Sequence, residues 1–262
     1  MDKRPIGIFD SGIGGTSIWG ELKELLPLED CIYLADSKNA PYGEKSKEHI
    51  IELCIKNTEY LLNQNCKLIV VACNTATTNA IDYLRSTYPV PFIGIEPAIK
   101  PAAINSKSKI VAVLATKGTL SSALFHSTSK NHAAGIVVVE QIGTGLVEMI
   151  ERGELNSAEM YKTLEDYMAP MLEKGIDYLV LGCTHYPYLI PMLKKILPDA
   201  VKIIDSGQAV AKQTKAILKN NGLLTSSSKP GIHRFYTNTD EKVLRDFLES
   251  KEVALTISFL DF

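Results

Sequence analysis

The sequence predicts an α/β protein: two similar doubly wound domains with mainly parallel sheets and an active site in the cleft between them. Three observations carry that expectation. Short runs rich in Ile and Val, apolar on both faces, alternate with longer helical patterns along all 262 residues, as βαβ units require. The order of these runs repeats, with 6–9 matching 110–115, 31–35 matching 136–140, 68–72 matching 178–182 and 91–95 matching 202–204. The offsets have the size of a small domain, not of a solenoid repeat. In each half one cysteine stands just past a buried-strand pattern, in LIVVACNTAT and in YLVLGCTHYP.

The elements follow in order. IGIF (6–9) runs into the small-residue turn DSGIGG, and a helical pattern covers 16–26. CIYLA (31–35), a helix over 46–64, LIVVA (68–72), a helix over 76–87 and PFIGI (91–95) complete the first half. The second half has IVAVLA (110–115), a helix over 120–130, IVVVE (136–140), helices over 144–151 and 157–174, YLVLG (178–182), a helix over 188–196 and KII (202–204). A helix over 207–220 precedes SSSKPG (226–231), whose Ser, Pro and Gly make it a loop. FYTNTD, a helix over 240–250 and a strand near 253–260 end the chain.

Composition narrows the function classes. The chain is 45% hydrophobic and 22% charged, which is ordinary for a globular protein. Its 28 basic and 30 acidic residues leave a net charge of −2, without the basic excess that phosphate backbones select, so no nucleic-acid partner is expected. Aromatic residues at 7% do not suggest a base-stacking platform either. No apolar run has the length of a signal peptide core or a membrane span. Five cysteines without a CxxC pair then suggest reduced thiols in a cytoplasmic protein.

The chemistry points to individual cysteines. Cys73-Asn74-Thr75 and Cys183-Thr184-His185 each follow a strand and enter a helix, whose free N–H groups suit a carboxylate and favour a thiolate. A lone cysteine at a strand end is more often a core residue, but two at equivalent places argue for function. Cys31, Cys54 and Cys66 lack that context and are expected to be structural. Asp10, at the first strand end, either assists a nearby base or caps the next helix. The glycines after it permit a tight turn and close approach to an anion. Cys183-x-His185 alone does not supply a metal site, so no metal is expected. His49, His126, His132 and His233 lie in polar contexts and are expected at the surface.

FDSGIGG (9–15), PYG (41–43), ACNTAT (72–77), ATKGT (115–119), LGCTHYP (181–187) and DSGQAVA (205–211) together resemble the glutamate racemase family in order and spacing. The resemblance covers nearly the whole chain. It implies a cofactor-independent interconversion of L- and D-glutamate, supplying D-glutamate for peptidoglycan. Within it, Cys73 and Cys183 match the two acid–base residues, and Asp10 and His185 the groups assisting them. Ser11, Asn74, Thr75 and Thr184 match the holders of the amino and α-carboxylate groups. Tyr42 and Gly43 match the site for the side-chain carboxylate, with Thr119 lining the same pocket, and Asp10 and His185 also border the substrate. One further assisting glutamate is implied in EQIGTGLVEMIERG, where Glu148 aligns best and Glu140 competes. The resemblance also implies a first domain of 1–97 plus 207–262 with the second, 98–206, inserted, and a homodimer. Other readings are an aspartate or hydantoin racemase of the same superfamily, or a binding role such as topoisomerase inhibition.

Overall fold

Alternating side chains bury both faces of the strands. In Ile6–Asp10, Ile6 and Ile8 enter one hydrophobic core and Phe9 another. In Leu68–Val71, Leu68 and Val70 share the first core, and Ile69 and Val71 the second. Helices on both faces of a parallel sheet meet that requirement. The computed structural model describes residues 2–132, 135–248 and 255–262. Its first part runs β1 (Ile6–Asp10), α1 (Thr16–Leu25), β2 (Cys31–Ala35), α2 (Lys47–Asn63), β3 (Leu68–Val71), α3 (Asn74–Thr87), β4 (Phe92–Gly94) and α4 (Ile99–Asn105). Then come β5 (Ile110–Ala115), α5 (Lys117–Leu120), α6 (Ala123–His132), β6 (Val137–Ile142), α7 (Leu146–Glu151), α8 (Ala158–Glu173), β7 (Tyr178–Gly182), α9 (Ile190–Ile196) and β8 (Lys202–Ile204). Last are α10 (Gly207–Asn220), β9 (His233–Thr237), α11 (Glu241–Leu248) and β10 (Leu255–Phe259).

One sheet has the order β10-β9-β2-β1-β3-β4 and the other β6-β5-β7-β8. All the strand pairs described are parallel. Within the larger sheet β2-β1-β3-β4 has the same order as β6-β5-β7-β8 under the correspondence seen in the sequence. The internal repeat is therefore a repeat of topology. One hydrophobic core takes side chains from both sheets, including Ile8 and Leu179. Register puts Asp10 level with Ala35, and Ala115 level with Gly182, so the carboxyl ends of adjacent strands finish together. Loops leaving such ends are where ligands bind open parallel sheets.

Three elements were not evident in the sequence, one of them α5, a single turn of four residues, KGTL. α4 has only seven residues and contains Pro101, too short for a helical period to emerge. β9, HRFYT, alternates buried His233, Phe235 and Thr237 with half-buried Arg234 and Tyr236, unlike the continuous apolar runs of strands such as β3 and β5. The helix expected over 240–250 and the strand expected over 253–260 appear as α11 and β10, and 249–254 lie outside the described residues.

β9 also corrects the expectation for His233, which is 1% exposed. Trp19 Nε1–H donates to its Nδ1 at 3.2 Å, and the two rings meet edge-on at 5.2 Å. A polar flank in the sequence hid an inward-facing position on an alternating strand. His49 and His126 are exposed as expected; the side chain of His132 lies outside the described residues. Burial pushes the His233 imidazole down to about 4, Lys23 acting in the same direction and Asp30 against it. Between pH 4 and the usual value of about 6.5 the unfolded chain thus binds a proton that the folded chain does not. The resulting stability is complete above that window and is lost as pH falls through it, by about 1–3 kcal/mol. Asp10, raised to about 6 by burial, contributes with the opposite sign, its share being lost as pH rises toward 6. Urea unfolding at pH 4.5, 5.5 and 7 checks this: His233→Asn keeps an acceptor for Trp19 and should make the pH slope less positive. An unchanged slope would remove His233 from the acid response.

Candidate active site

Cys73 caps the amino end of α3, its Sγ accepting from the Ala76 amide at 3.4 Å. It is 5% exposed, and its S–H faces Ser11 Oγ at 3.6 Å. Ser11 in turn donates to Asp10 Oδ1 at 3.4 Å. The other oxygen of Asp10 accepts from the Gly15 amide at 2.7 Å and from Thr184 Oγ at 3.4 Å. Asp10 thus joins the Cys73 loop of one sheet to the Cys183 loop of the other. Cys183, just past β7 and next to Thr184, has its Sγ 3.7 Å from His185 Nδ1.

The second ring nitrogen of His185 meets Glu151 Oε1 at 2.5 Å. Burial opposes the imidazolium, but contacts with Cys183 and Glu151 outweigh it and hold the ring well above the ordinary histidine range. Its Nε2 proton then belongs to Glu151, so the Gly14 amide, 3.3 Å from the same nitrogen, is a close neighbour and not a donor. Burial, and next the charge of Asp10, push the Cys73 thiol well above its usual range, while Ala76 N–H and Ser11 act against them. The resting site is therefore asymmetric: a protonated thiol on the Cys73 side and a protonated imidazole beside Cys183. Asp10, with burial lifting its carboxyl to about 6, can hold or release a proton between them near neutral pH.

Asn74, 3% exposed, has neither side-chain oxygen nor nitrogen hydrogen-bonded within the described residues. A buried amide without partners is costly, and a ligand carrying both a donor and an acceptor relieves that cost. Beside it, Thr75, Thr116 and Thr119 form a hydroxyl cluster with separations of 2.7, 3.1 and 3.2 Å. Thr75 comes from α3, and the other two from α5 and the residue capping it. Gly43 lies against Thr116 and lines a cavity of about 230 Å³ with Thr116, Gly143, Thr144 and Glu148. The Tyr42 hydroxyl is turned away, donating to Asp36 at 2.5 Å and accepting from Asn57 at 3.1 Å. Only its backbone is free of that buried network to face a ligand.

The structure thus links Cys73, Ser11, Asp10 and Thr184 in one hydrogen-bonded chain, and Cys183 and His185 in another next to it in sequence. Asn74 stands beside Cys73, and Thr75, Thr119 and Gly43 lie around Thr116. Sequence reasoning missed Thr116, although a threonine capping ATKGT was a usable signal. It also left out Glu151 as a candidate for the assisting glutamate. Glu140 is exposed on β6 and Glu148 lines the cavity, whereas the carboxylate on His185 is Glu151. The three-residue step from 148 to 151 is one turn of α7, and local sequence offered no signal to choose between those turns. Cys31, Cys54 and Cys66 are buried, with burial pushing each thiol up, as structural cysteines should be.

Two parallel α/β sheets of like strand order each carry a cysteine just past a strand end, at one site. Residues 21–214 match the family described as Asp/Glu/Hydantoin racemase. The chain is 48% identical over 241 residues to a glutamate racemase of Ectopseudomonas mendocina, spanning 92% of this chain and 91% of that one. A glutamate racemase isoform of Bacillus anthracis superposes with a TM-score of 0.88 at 28% identity, covering 100% and 98% of the two chains. Escherichia coli glutamate racemase, solved with L-glutamate and the activator UDP-MurNAc-ala, superposes at 0.86 with 32% identity and 98% of each chain covered. The chain belongs to the Asp/Glu/hydantoin racemase family.

Proposed function

We propose that this protein racemises glutamate with Cys73 and Cys183 as opposed acid–base residues. The observation that carries the proposal is the meeting of the two strand-end loops: Cys73 reaches Asp10 through Ser11, Asp10 accepts from Thr184, the residue after Cys183, and Cys183 contacts His185. From L-glutamate, the Cys183 thiolate takes the α-proton while the Cys73 thiol gives its own to the opposite face of Cα. The C–H bond broken and the C–H bond formed balance, and the enzyme is left with thiol and thiolate exchanged. His185 and Asp10 then restore the starting protonation. The α-proton is a weak acid, so the developing charge on the carboxylate needs aimed donors. Asn74, Thr184 and the amides opening α3 supply them, and the Thr75–Thr116–Thr119 cluster with Gly43 suits the side-chain carboxylate. D-Glutamate for peptidoglycan, a cytoplasmic location, a homodimer and a division at 1–97 plus 207–262 and 98–206 belong to the same reading.

The test is the loss of the circular dichroism signal of L-glutamate on incubation with the reduced protein, alongside L-aspartate and a 5-substituted hydantoin. Decay to zero signal with glutamate, faster than with the other two, is expected. Folded, reduced protein that leaves glutamate unchanged, or that prefers aspartate or the hydantoin, would overturn it.

A further inference from the structure

Glu151 holds His185 from the second layer, but the groups that fix Glu151 come from the first. Oε1 accepts from the Ile13 amide at 2.7 Å as well as meeting the imidazole, and Oε2 accepts from Ser37 Oγ at 2.8 Å. Ser37 follows β2 directly after Asp36. Gly12 presses against the same carboxylate: a Cβ there would stand 2.6 Å from Glu151 Cδ. The side chain of Glu151 is only 14% exposed, so water does little to replace a lost donor.

We propose that Ser37 is a positioning residue that locks the Glu151 carboxylate in the plane needed to hold the His185 proton beside Cys183. This rests on the racemase reading above. The carboxylate has two oxygens with separate tasks, one shared by Ile13 and the imidazole and one anchored by Ser37. Without the Ser37 donor, Oε2 loses its anchor and the carboxylate is free to rotate. A carboxylate that is less well solvated by donors also draws the shared proton away from the ring. Because Ile13 and Ser37 lie on the first layer and Glu151 and His185 on the second, the proton on His185 is tied to closure of one layer against the other. The charged groups facing His185 are Cys183, Glu151 and Asp10, and only Glu151 is touched by Ser37.

Ser37→Ala and Ser37→Thr decide it, since threonine keeps the hydroxyl. In Ser37→Ala, kcat for glutamate should fall about tenfold or more, with KM changed less than threefold. The His185 ring titration, followed by NMR and assigned with His185→Gln, should move down by about one pH unit. Ser37→Thr should restore both toward wild type. Ser37→Ala with unaltered kcat and an unmoved His185 titration would overturn the proposal. So would a threonine variant as impaired as the alanine one. A wild-type protein inactive on glutamate would sink the racemase reading, while the NMR titration would still decide whether Ser37 governs the His185 proton.

Discussion

Cys73→Ser and Cys183→Ser should each lower glutamate racemisation by about a thousandfold or more, within the range for losing a positioned acid–base group. A serine hydroxyl is a far weaker acid than a thiol and keeps nearly the same shape, so the fold should survive. Enantiomers have equal free energy in an achiral solvent. The ratio kcat/KM must therefore fall by the same factor from L- and from D-glutamate, whichever thiol is lost, while kcat and KM taken singly need not. Isotope exchange separates two opposed residues from one that swings. In deuterated water the wild type should place deuterium at Cα of the product enantiomer and leave early recovered substrate nearly unlabelled. The reason is that the proton removed and the deuteron delivered sit on different sulfurs. Equal early labelling of both enantiomers would count against two residues, as would a serine variant that racemises at more than about a tenth of the wild-type rate. Mass spectrometry after chiral separation makes the measurement.

Much of this site was legible in the sequence because strand-end chemistry is local. A continuous apolar run followed by Cys-Asn-Thr or Cys-Thr-His places the thiol at a carboxyl strand end, and the repeat of that pattern implied two layers meeting there. The structure has the same strand order in both. What escaped was set by contacts between distant segments. Ser37 and Glu151 are 114 residues apart, and Ile13 and Glu151 are 138 apart. No local period encodes either meeting. His233 escaped for a related reason: its place inside depends on Trp19 of α1, 214 residues away, and not on its own polar neighbours. The partners of the Tyr42 hydroxyl, Asp36 and Asn57, were not legible either, and they leave its backbone as the part that could meet a side-chain carboxylate. The FDSGIGG turn was legible as a tight turn able to approach an anion, yet its glycines answer to something else. Gly12 abuts Glu151, Gly14 abuts His185, and Gly15 abuts Asp10 and Tyr33.

That packing makes Gly14→Ala a probe of the chemistry with little change of composition. A Cβ at position 14 would overlap the His185 ring, standing 2.5 Å from Cγ and 2.7 Å from Cε1. The ring has little room to withdraw, because it is 1% exposed and held by Cys183 on one side and Glu151 on the other. Relief requires the imidazole to move by about 1 Å, and a misplacement of that size in an acid–base group costs about a hundredfold in rate. The backbone gives the opposite impulse. Gly14 is not among the glycines with positive φ, so alanine is compatible with its conformation and removes freedom from the unfolded chain, worth about 0.4–1 kcal/mol. Steric overpacking of about 1–3 kcal/mol works against that gain, leaving a net loss of stability of at most about 2.6 kcal/mol. The expected result is therefore a protein that still unfolds cooperatively, at a urea concentration lower by about 1 M at most, but racemises glutamate about a hundred times more slowly. Its pH–rate profile should also be displaced, since the proton on His185 no longer has Glu151 in place. Retention of more than half the wild-type kcat would show that the glycine is not needed for the approach of His185. An equal fall in activity and in folded fraction would assign the effect to stability, and the case for His185 at this position would fail.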